Sequence, residues 1–500
     1  MSNLAERLLA SASADPDADA LRLDDRVVSY AQLADSARRL AALLHTAGVE
    51  PGDRVGVMLP NVPEFPICYY GILLAGGVVV PINPLLKEAE VAHYLGDSEA
   101  GILLAWHAAP GDPSAGAADT GTTLITVEPD SFTRRLRLQL PLEPVDRDDT
   151  DTAVVLYTSG TTGTPKGAEL THANLRRNAD IFSQDWLKLS PADVVMGCLP
   201  LFHTFGQTNS MNSTIFAGAC LTLISRFDGA AALDVVERDA VTVFLGVPTM
   251  YSAMLAAGRE RPEVTMPSLR LCVSGGAAMP VEVLRGFEKR FDCTIIEGYG
   301  LSETSPTASF NPPDGVRKIG SIGIPLEGVE MRIVDPDGAQ VPDGQPGEIA
   351  IRGHNIMKGY LGRPEATAEV LSADGWFLTG DIGIRDQDGY FFIVDRKKAL
   401  IIRGGYNVYP REIEEVLYSH PDVQEAAVIG VAHPELGEEI AAAIVPVPGS
   451  TAAPEDIRDY VKERVAAYKY PRVVWFTEEL PKGPTGKIVR RNIVAPGRGR

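Results

Sequence analysis

Two stretches of the chain share one order of structural elements. The first has a β-branched run at residues 54–58, a turn at Pro60, a helical pattern over 64–74 and a second β-branched run at 78–82. The second stretch repeats this order at residues 194–199, Pro200, 207–216 and 220–224. A strand, a helix and a further strand in this order are typical of parallel strands covered by the connecting helix. The sequence therefore predicts an α/β fold with two related subdomains.

After about residue 320 the pattern changes to short strands separated by turns. Asp-Gly pairs at Asp337 and Asp388 indicate hairpins between the strand patterns at 331–334, 348–351 and 390–394. The charged segment Asp395-Arg396-Lys397-Lys398 follows, and then helix patterns at 410–418 and 454–465 and strand patterns at 423–431 and 440–447. We predict a large N-terminal domain, 1–395, which also contains the small β-rich unit, and a small mobile α+β C-terminal domain, 396–500.

Composition excludes several classes of protein. A formal net charge of −20 argues against a general affinity for nucleic acid, whose phosphates would be repelled. The five cysteines are scattered without a C-x-x-C pattern, which argues against a disulfide framework or a zinc site. The longest apolar run, about 67–82, is shorter than the roughly 20 residues that a spanning helix needs. The first twenty residues show no basic region before an apolar core, so we expect a cytoplasmic protein without stable membrane insertion.

The loop at residues 157–167, Tyr-Thr-Ser-Gly-Thr-Thr-Gly-Thr-Pro-Lys-Gly, carries the strongest chemical signal. It follows an apolar strand pattern at 153–156. Its glycines allow tight turns that expose backbone N–H groups, and its hydroxyls and Lys166 add donors, so the loop suits a polyphosphate. It is not a Walker P-loop, because Pro165 precedes the lysine and Gly167 follows it. From the residues alone, a flexible surface loop is the alternative.

This loop resembles the phosphate-binding signature of the adenylate-forming superfamily, which holds acyl-CoA synthetases, amino-acid adenylation domains and luciferases. Further motifs match in the family's order over nearly the whole chain: Ser274-Gly275-Gly276-Ala277, Gly298-Tyr299-Gly300-Leu301-Ser302-Glu303-Thr304, Thr379-Gly380-Asp381, Asp395-Arg396-Lys397-Lys398, Arg403-Gly404-Gly405-Tyr406-Asn407 and Pro484-Thr485-Gly486-Lys487. The chain is identified on this resemblance as an AMP-forming acyl-CoA ligase. The resemblance implies that ATP converts a carboxylic acid to its acyl-adenylate, which then loses the acyl group to a thiol.

The resemblance also implies roles for individual residues. Thr158 and Glu303 would hold Mg²⁺, Tyr299 would stack on adenine, and Asp381 would bind the ribose hydroxyls, with Arg396 assisting at the ribose or phosphate. The phosphate loop would contribute Ser159, Gly160, Thr161, Thr162, Gly163 and Lys166. The other nucleotide contacts are expected from Gly275, Gly276, Ala277, Gly298, Gly300, Leu301, Ser302, Thr304 and Ile393.

Lys487 is the residue expected to act in the chemistry, because a lysine can bridge the attacking carboxylate and the α-phosphate as charge develops. In the family the small domain closes with this lysine for adenylation and then rotates for transfer to the thiol. The resemblance makes Lys398 the pivot of that rotation. In the rotated state Gly404, Gly405 and Tyr406 would approach the tunnel of the thiol.

His203 resembles the gating residue beside the substrate carboxylate. We expect the acyl pocket to be lined by His203 to Gly206, Val247, Ser274 to Ala277, Gly298 and Ser302. Amino-acid adenylation domains carry an Asp where His203 stands, and malonate-type relatives carry an Arg where Gly298 stands. Both departures favour a hydrophobic monocarboxylic acid, fatty or similar, with aryl acids such as cinnamates as the alternative.

The acceptor is coenzyme A or the phosphopantetheine arm of an acyl carrier protein. The interval from Glu303 to Asp381 has no obvious insertion of the kind that fatty acyl-AMP ligases carry, which favours coenzyme A. A catalytically idle relative is disfavoured, because Lys166, Glu303, Asp381 and Lys487 are all present. A luciferase-like oxygenase is not separated from a ligase by any feature of the sequence.

Overall fold

The computed structural model describes residues 3–158, 165–396, 400–404 and 406–496, apart from the side chains of Arg396 and Asn407. Within these ranges the first large sheet has nine strands, the central ones parallel. Their order across the sheet is Ile324–Pro325, Thr307–Phe310, Ile295–Gly300, Leu271–Ser274, Val243–Gly246, Val194–Gly197, Cys220–Leu223, Asp19–Leu23 and Arg26–Ser29.

The second large sheet has seven described strands, again parallel at its centre. Their order is Gly359–Tyr360, Lys166–Thr171, Thr152–Thr158, Val78–Pro81, Arg54–Met58, Ile102–Trp106 and Thr123–Val127. The α-helices of this part of the chain are Glu6–Ala14, Tyr30–Thr46, Glu64–Leu74, Glu88–Ser98, Pro113–Thr120, Pro129–Arg137, His172–Ile181, Ser213–Phe216, Gly229–Asp239, Pro248–Glu260, Val281–Phe291 and Pro364–Ala368. The α/β class predicted from the sequence is confirmed.

The two stretches that share one order of elements occupy equivalent places, one in each large sheet. Arg54–Met58 pairs in parallel with Val78–Pro81, and Val194–Gly197 pairs in parallel with Cys220–Leu223. Glu64–Leu74 is buried over its whole length, as expected of a helix that is apolar all round. The second connection is helical as predicted, but it begins with a π-helix, Phe205–Asn212, before the α-helical turn Ser213–Phe216.

The two helical connections pack against each other and join the sheets. The Tyr70 hydroxyl donates to Asn212 Oδ1 at 2.8 Å, and Asn212 Nδ2 donates to the Tyr69 hydroxyl at 3.1 Å. Asn61 Nδ2 donates to the carbonyl oxygens of Gly197 and Leu199 at 3.0 and 2.9 Å. These buried bonds fix the two subdomains relative to each other, because breaking them would leave polar groups unpaired in the core.

The rest of the chain forms two smaller sheets. The β-rich unit is an antiparallel sheet with the strand order Val329–Val334, Gly347–Gly353, Phe377–Arg385 and Phe391–Arg396. The C-terminal sheet contains Tyr406–Val408, Ile401–Arg403, Gly437–Pro446, Val423–His433 and Val473–Phe476. The helices packed near it are Pro410–Tyr418 and Pro454–Lys462. A small α+β unit therefore follows the large one, as predicted.

The large and small units have separate hydrophobic cores. The largest buried cluster runs from Leu4 to Phe391 in the sequence, and a separate cluster runs from Ile401 to Val461. The boundary at Asp395, and the mobility of the C-terminal domain, remain predictions. In the described ranges no helix is both long enough and apolar enough to cross a membrane.

Candidate active site

Thr158 and Glu303 meet at the carboxyl end of a strand of the seven-stranded sheet. Thr158 is the last residue of Thr152–Thr158, and its hydroxyl donates to Glu303 Oε1 at 3.3 Å. Glu303 is only 8% exposed, and its backbone carbonyl accepts a hydrogen bond from Met357 N at 2.9 Å. A buried carboxylate beside a hydroxyl supplies the hard oxygen ligands that Mg²⁺ prefers, so these two residues fit the ion.

Tyr360 joins this group, although it was not among the residues predicted from the sequence. Its hydroxyl donates to Glu303 Oε1 at 2.9 Å, and Lys166 Nζ lies 5.3 Å from the centre of its ring. Burial, and then the Glu303 carboxylate, raise the pKa of Tyr360, which keeps the hydroxyl protonated as a donor. The phosphate-loop residues predicted to lie beside this group fall outside the described ranges: Ser159, Gly160, Thr161, Thr162 and Gly163.

Tyr299 and Asp381 lie together at the predicted nucleotide site. The Tyr299 hydroxyl donates to Asp381 Oδ2 at 2.6 Å, and Asp381 is 3% exposed. Asp381 is the backbone partner of Arg396 in the β-rich sheet. Ile393, also expected at the nucleotide, lies on the same strand as Arg396, and its carbonyl accepts a hydrogen bond from Arg411 Nη1 at 2.6 Å. The sheet therefore brings the two predicted ribose residues to adjacent positions.

The turn after Tyr299 is fixed by local contacts between residues 300 and 306. A Cβ on Gly300 would lie 1.7 Å from the carbonyl oxygen of Pro306, so no other residue fits there. Ser302–Thr304 forms a 3₁₀ turn in which Leu301 N donates to Thr304 Oγ1 at 2.8 Å. This geometry fixes the position of Glu303 in the turn.

Aromatic rings pack on two of the glycines predicted to line the acyl pocket. A Cβ on Gly298 would lie 2.2 Å from Cζ of Phe310, and a Cβ on Gly275 would lie 3.0 Å from Cζ of Phe205. Gly276, which has a φ of +78°, and Ala277 are exposed. The ring of Phe310 thus lies where a side chain at position 298 would stand.

His203 and Lys487 interact electrostatically, although one lies in the large unit and the other in the small one. Burial lowers the pKa of His203 to about 4, and the positive charge of Lys487 also lowers it. His203 Nδ1 accepts a hydrogen bond from Phe205 N at 3.3 Å. The imidazole is therefore neutral near pH 7, and Lys487 supplies the positive charge that acts on it.

Residues on either side of the domain boundary hold the small unit against the large one. The Thr249 hydroxyl donates to the carbonyl oxygen of Gly486 at 3.0 Å. Near the boundary, Arg411 N donates to Asp395 Oδ2 at 3.1 Å, and Arg411 Nη2 donates to the carbonyl oxygen of Gly320 at 3.4 Å. The structure thus presents the arrangement in which Lys487 faces the large domain.

The residues predicted for the thiol make their contacts within the small unit. Tyr406 is 59% exposed and stacks on Tyr468 with 4.7 Å between the ring centres. Gly404 adopts a φ of +57°, and its N–H donates to the carbonyl oxygen of Leu436 at 2.8 Å. Lys398 and Gly405 lie outside the described residues. Of the residues predicted for the thiol, Tyr406 and Gly404 are thus described by contacts to Tyr468 and Leu436 of the small unit.

The sequence reasoning missed Tyr360, Phe310, Thr249 and Arg411. Their contacts depend on strand register or on the docking of one domain on the other, which single motifs do not encode. The Gly-Tyr pair at 359–360, next to the Glu303 loop in space but 57 positions away in sequence, carries no signal by itself.

Two protein families match this chain, each over a different part of it. Residues 8–361 match the family described as AMP-binding enzyme, and residues 412–487 match the AMP-binding enzyme C-terminal domain. The long-chain-fatty-acid–CoA ligase of Bacillus subtilis (strain 168) is 37% identical, covering 97% of this chain and 93% of the relative. The feruloyl-CoA synthase of an Amycolatopsis species is 39% identical and covers 96% of each chain.

A solved structure resembles the whole fold. The crystal structure of ATP-bound MatB from Rhodopseudomonas palustris superimposes with a TM-score of 0.91 at 35% identity, covering 98% of this chain and 97% of that one. The large and small units are thus found together in a protein that binds ATP.

Proposed function

Because the chain belongs to the family of AMP-binding enzymes and is an adenylate-forming acid–CoA ligase, we propose that it activates a hydrophobic monocarboxylic acid, fatty or similar. The observation that carries this choice of substrate is the packing at Gly298. Any side chain there would meet Phe310 at 2.2 Å, so an arginine that would pair with a second carboxylate has no room. The groups packed on Gly298 and Gly275 are the apolar rings of Phe310 and Phe205, and an apolar lining favours an uncharged tail.

In the first half-reaction the acid carboxylate attacks the α-phosphate of ATP, and pyrophosphate leaves. Both reactants are anions, so the site must neutralise charge and hold the oxygens in line. Lys487, whose charge reaches neutral His203, supplies a positive charge where the carboxylate and α-phosphate meet. Tyr299 stacks on the adenine, and Asp381 accepts hydrogen bonds from the ribose hydroxyls. Lys166 and the loop at 159–163 bind the phosphates.

Thr158 and Glu303 are proposed to hold Mg²⁺. The ion would supply charge neutralisation at the phosphates, as it does in sites that combine carboxylates with phosphate oxygens. Tyr360 orients Glu303 by donating to one of its oxygens, which leaves lone pairs of the carboxylate for the cation.

In the second half-reaction the thiol attacks the acyl carbon of the adenylate, and AMP leaves. We propose coenzyme A as the thiol. The motif at 403–407 would then approach the thiol after the small domain rotates about Lys398. Transfer to the phosphopantetheine arm of an acyl carrier protein uses the same thiol chemistry and is the alternative acceptor.

An aryl acid is a second candidate substrate, because the aromatic surroundings of Phe310 also suit a flat ring. The ring is 2% exposed and lies near Phe182 and Trp186, with ring-centre distances of 5.0 and 6.1 Å. Fixed aromatic rings of this kind pack well on a flat aryl group, so the same packing is compatible with either class of hydrophobic acid. The named substrates of the Bacillus and Amycolatopsis relatives, a long-chain fatty acid and a feruloyl group, span both candidates.

Mass-spectrometric product analysis tests the proposal. The enzyme is incubated with Mg²⁺-ATP and short to long fatty acids, cinnamates, malonate and amino acids, with and without coenzyme A. We expect AMP and the acyl-CoA of a hydrophobic monocarboxylate. Preference for malonate or an amino acid would contradict the substrate class. If the acyl-adenylate accumulates and coenzyme A is not consumed, the acceptor is the phosphopantetheine arm of a carrier protein and not coenzyme A.

A further inference from the structure

Lys487 sits in a hairpin that fixes its backbone without help from the large domain. Lys482 and Ile488 form a β-bridge, Gly483 N donates to the carbonyl oxygen of Lys487 at 2.7 Å, and Gly486 N donates to the carbonyl oxygen of Gly483 at 2.9 Å. We call residues 482–488 the lysine hairpin. Its internal bonds orient Lys487 within the small domain, but they do not determine where the lysine lies relative to the substrates.

The tip of the lysine hairpin rests on the large domain. The Thr249 hydroxyl donates to the carbonyl oxygen of Gly486 at 3.0 Å. Gly486 has a φ of +78°, and a Cβ added there would lie 3.1 Å from Thr249 Oγ1 and 3.2 Å from Cγ2 of Val247. The positive φ favours glycine at this position, and any side chain there would also press on Thr249 and Val247.

Thr249 lies at the N-terminus of a helix, where its hydroxyl can donate to a carbonyl oxygen. It is the second residue of the helix Pro248–Glu260, whose N-cap, Val247, supplies no capping side chain. A helix N-terminus carries a partial positive charge that favours a carbonyl oxygen. The hydroxyl and the helix therefore act on the same atom, one residue before Lys487.

We propose that Thr249 is a positioning residue that holds Lys487 in place for adenylation. The inference rests on the proposed role of Lys487 and adds the large-domain group through which that lysine is placed. If the small domain rotates for thiol transfer, the lysine hairpin leaves Thr249. The hydroxyl then assists the first half-reaction and has no part in the second.

Replacing Thr249 by Val removes the hydroxyl at nearly constant volume. One neutral hydrogen bond lost from the closed arrangement predicts adenylation that is about three- to tenfold slower. Adenylation is measured as ATP–pyrophosphate exchange with octanoate and with cinnamate. Transfer from the purified octanoyl- and cinnamoyl-adenylates to coenzyme A is measured separately and should stay at the wild-type rate. Thr249→Ser retains the hydroxyl and should restore exchange.

Three further variants serve as a control, as a second way to break the contact and as a test of coupling to Lys487. Thr46→Val removes a hydroxyl that donates within its own helix to the carbonyl oxygen of Ala42 at 2.9 Å, and it should change neither half-reaction. Gly486→Ala forces the hairpin off Thr249 from the other side and should reproduce the selective loss, even if Thr249→Val folds poorly. In a Lys487→Ala background, Thr249→Val should add no further loss, because the hydroxyl acts through the lysine.

The outcomes separate this proposal from the proposed function. Normal exchange by Lys487→Ala contradicts the role given to the lysine, and the Thr249 proposal falls with it. If Lys487→Ala slows ATP–pyrophosphate exchange but Thr249→Val does not, the Thr249 proposal is refuted and the proposed function stands. Equal slowing of both half-reactions, or a Thr249→Ser variant as slow as Thr249→Val, shows that the residue acts on folding and not through its hydroxyl.

Discussion

Removing the ring of Phe310 should lengthen the acyl group that the enzyme accepts. The side chain is 2% exposed, and its Cζ lies where a Cβ of residue 298 would otherwise stand. Phe310→Ala deletes the six ring carbons next to Gly298. The space left can take about four methylene groups of a substrate, and burying each methylene group stabilises the bound substrate by about 0.8 kcal/mol. A chain four carbons longer therefore gains roughly 3 kcal/mol, or about a hundredfold in relative kcat/KM.

The assay measures kcat/KM for butyrate, octanoate, dodecanoate and cinnamate by pyrophosphate release. For Phe310→Ala we expect the ratio of the longer to the shorter fatty acids to rise by up to about a hundredfold. The substitution also costs stability, about 3–5 kcal/mol for a large-to-small change in a core. The change in chain-length preference must therefore be separated from a general loss of folded enzyme.

Phe287→Ala is the matched control for that separation. Phe287 is fully buried, and its ring packs against Tyr251 and Phe291 with centres 5.0 and 4.8 Å apart. It should lose stability by a similar amount without changing the ratio between acids. An unchanged ratio in Phe310→Ala, or the same change in Phe287→Ala, would refute the reasoning that Phe310 limits the pocket.

Three other perturbations test the site and its surroundings. Glu303→Gln keeps the size of the side chain but removes its charge, so the Mg²⁺ concentration needed for half-maximal exchange should rise at least about tenfold; an unchanged Mg²⁺ dependence would contradict the metal assignment. Burial raises the pKa of Glu297 to about 7, with the Gly320 amide, Arg411 and Arg317 lowering it and Glu415 raising it. The folded chain then binds a proton that the unfolded chain has lost, so stability should fall by about 3 kcal/mol as pH rises from about 4.5 through 7. Glu297→Gln should remove that fall in urea unfolding measured between pH 5 and 8, and an equal fall in the variant would refute it. Burial and Lys487 lower the pKa of His203 to about 4; Lys487→Ala should raise it in an NMR titration of the imidazole, whereas an unshifted pKa would place the lysine elsewhere.

Elements with a strong local pattern were predictable from the sequence. The helices predicted at 64–74 and 410–418 have the bounds Glu64–Leu74 and Pro410–Tyr418 in the structure. The first is a continuous apolar run that ends before a glycine pair, and the second begins at a proline in the first helical position. The pairing of Thr158 with Glu303 and of Tyr299 with Asp381 agrees with the shared roles that the motifs suggested, and those roles remain predictions.

Features set by tertiary contact were not predictable in the same way. The connection predicted as a helix at 207–216 begins two residues earlier, as a π-helix, where Phe205 packs on Gly275. From the sequence we expected space for an acyl group beside Gly298, because a sequence alone does not show which residue pairs with Gly298 on the neighbouring strand. The antiparallel register pairs Gly298 with Phe310, twelve positions later, and the ring fills the space that the glycine leaves.

The division of the site between two cores has an energetic consequence. The lysine hairpin is rigid in itself, whereas its placement on the large domain depends on contacts such as the bond from Thr249 to Gly486 and those from Arg411 to Ile393 and Gly320. Each such bond contributes about 0.5–1.5 kcal/mol, or about twice that with a charged donor. Contacts of this size hold one arrangement without making it permanent. If Lys487 acts in adenylation alone, as proposed, contacts of this strength suit it better than a place in the core of the large unit, because they can be broken between the two half-reactions.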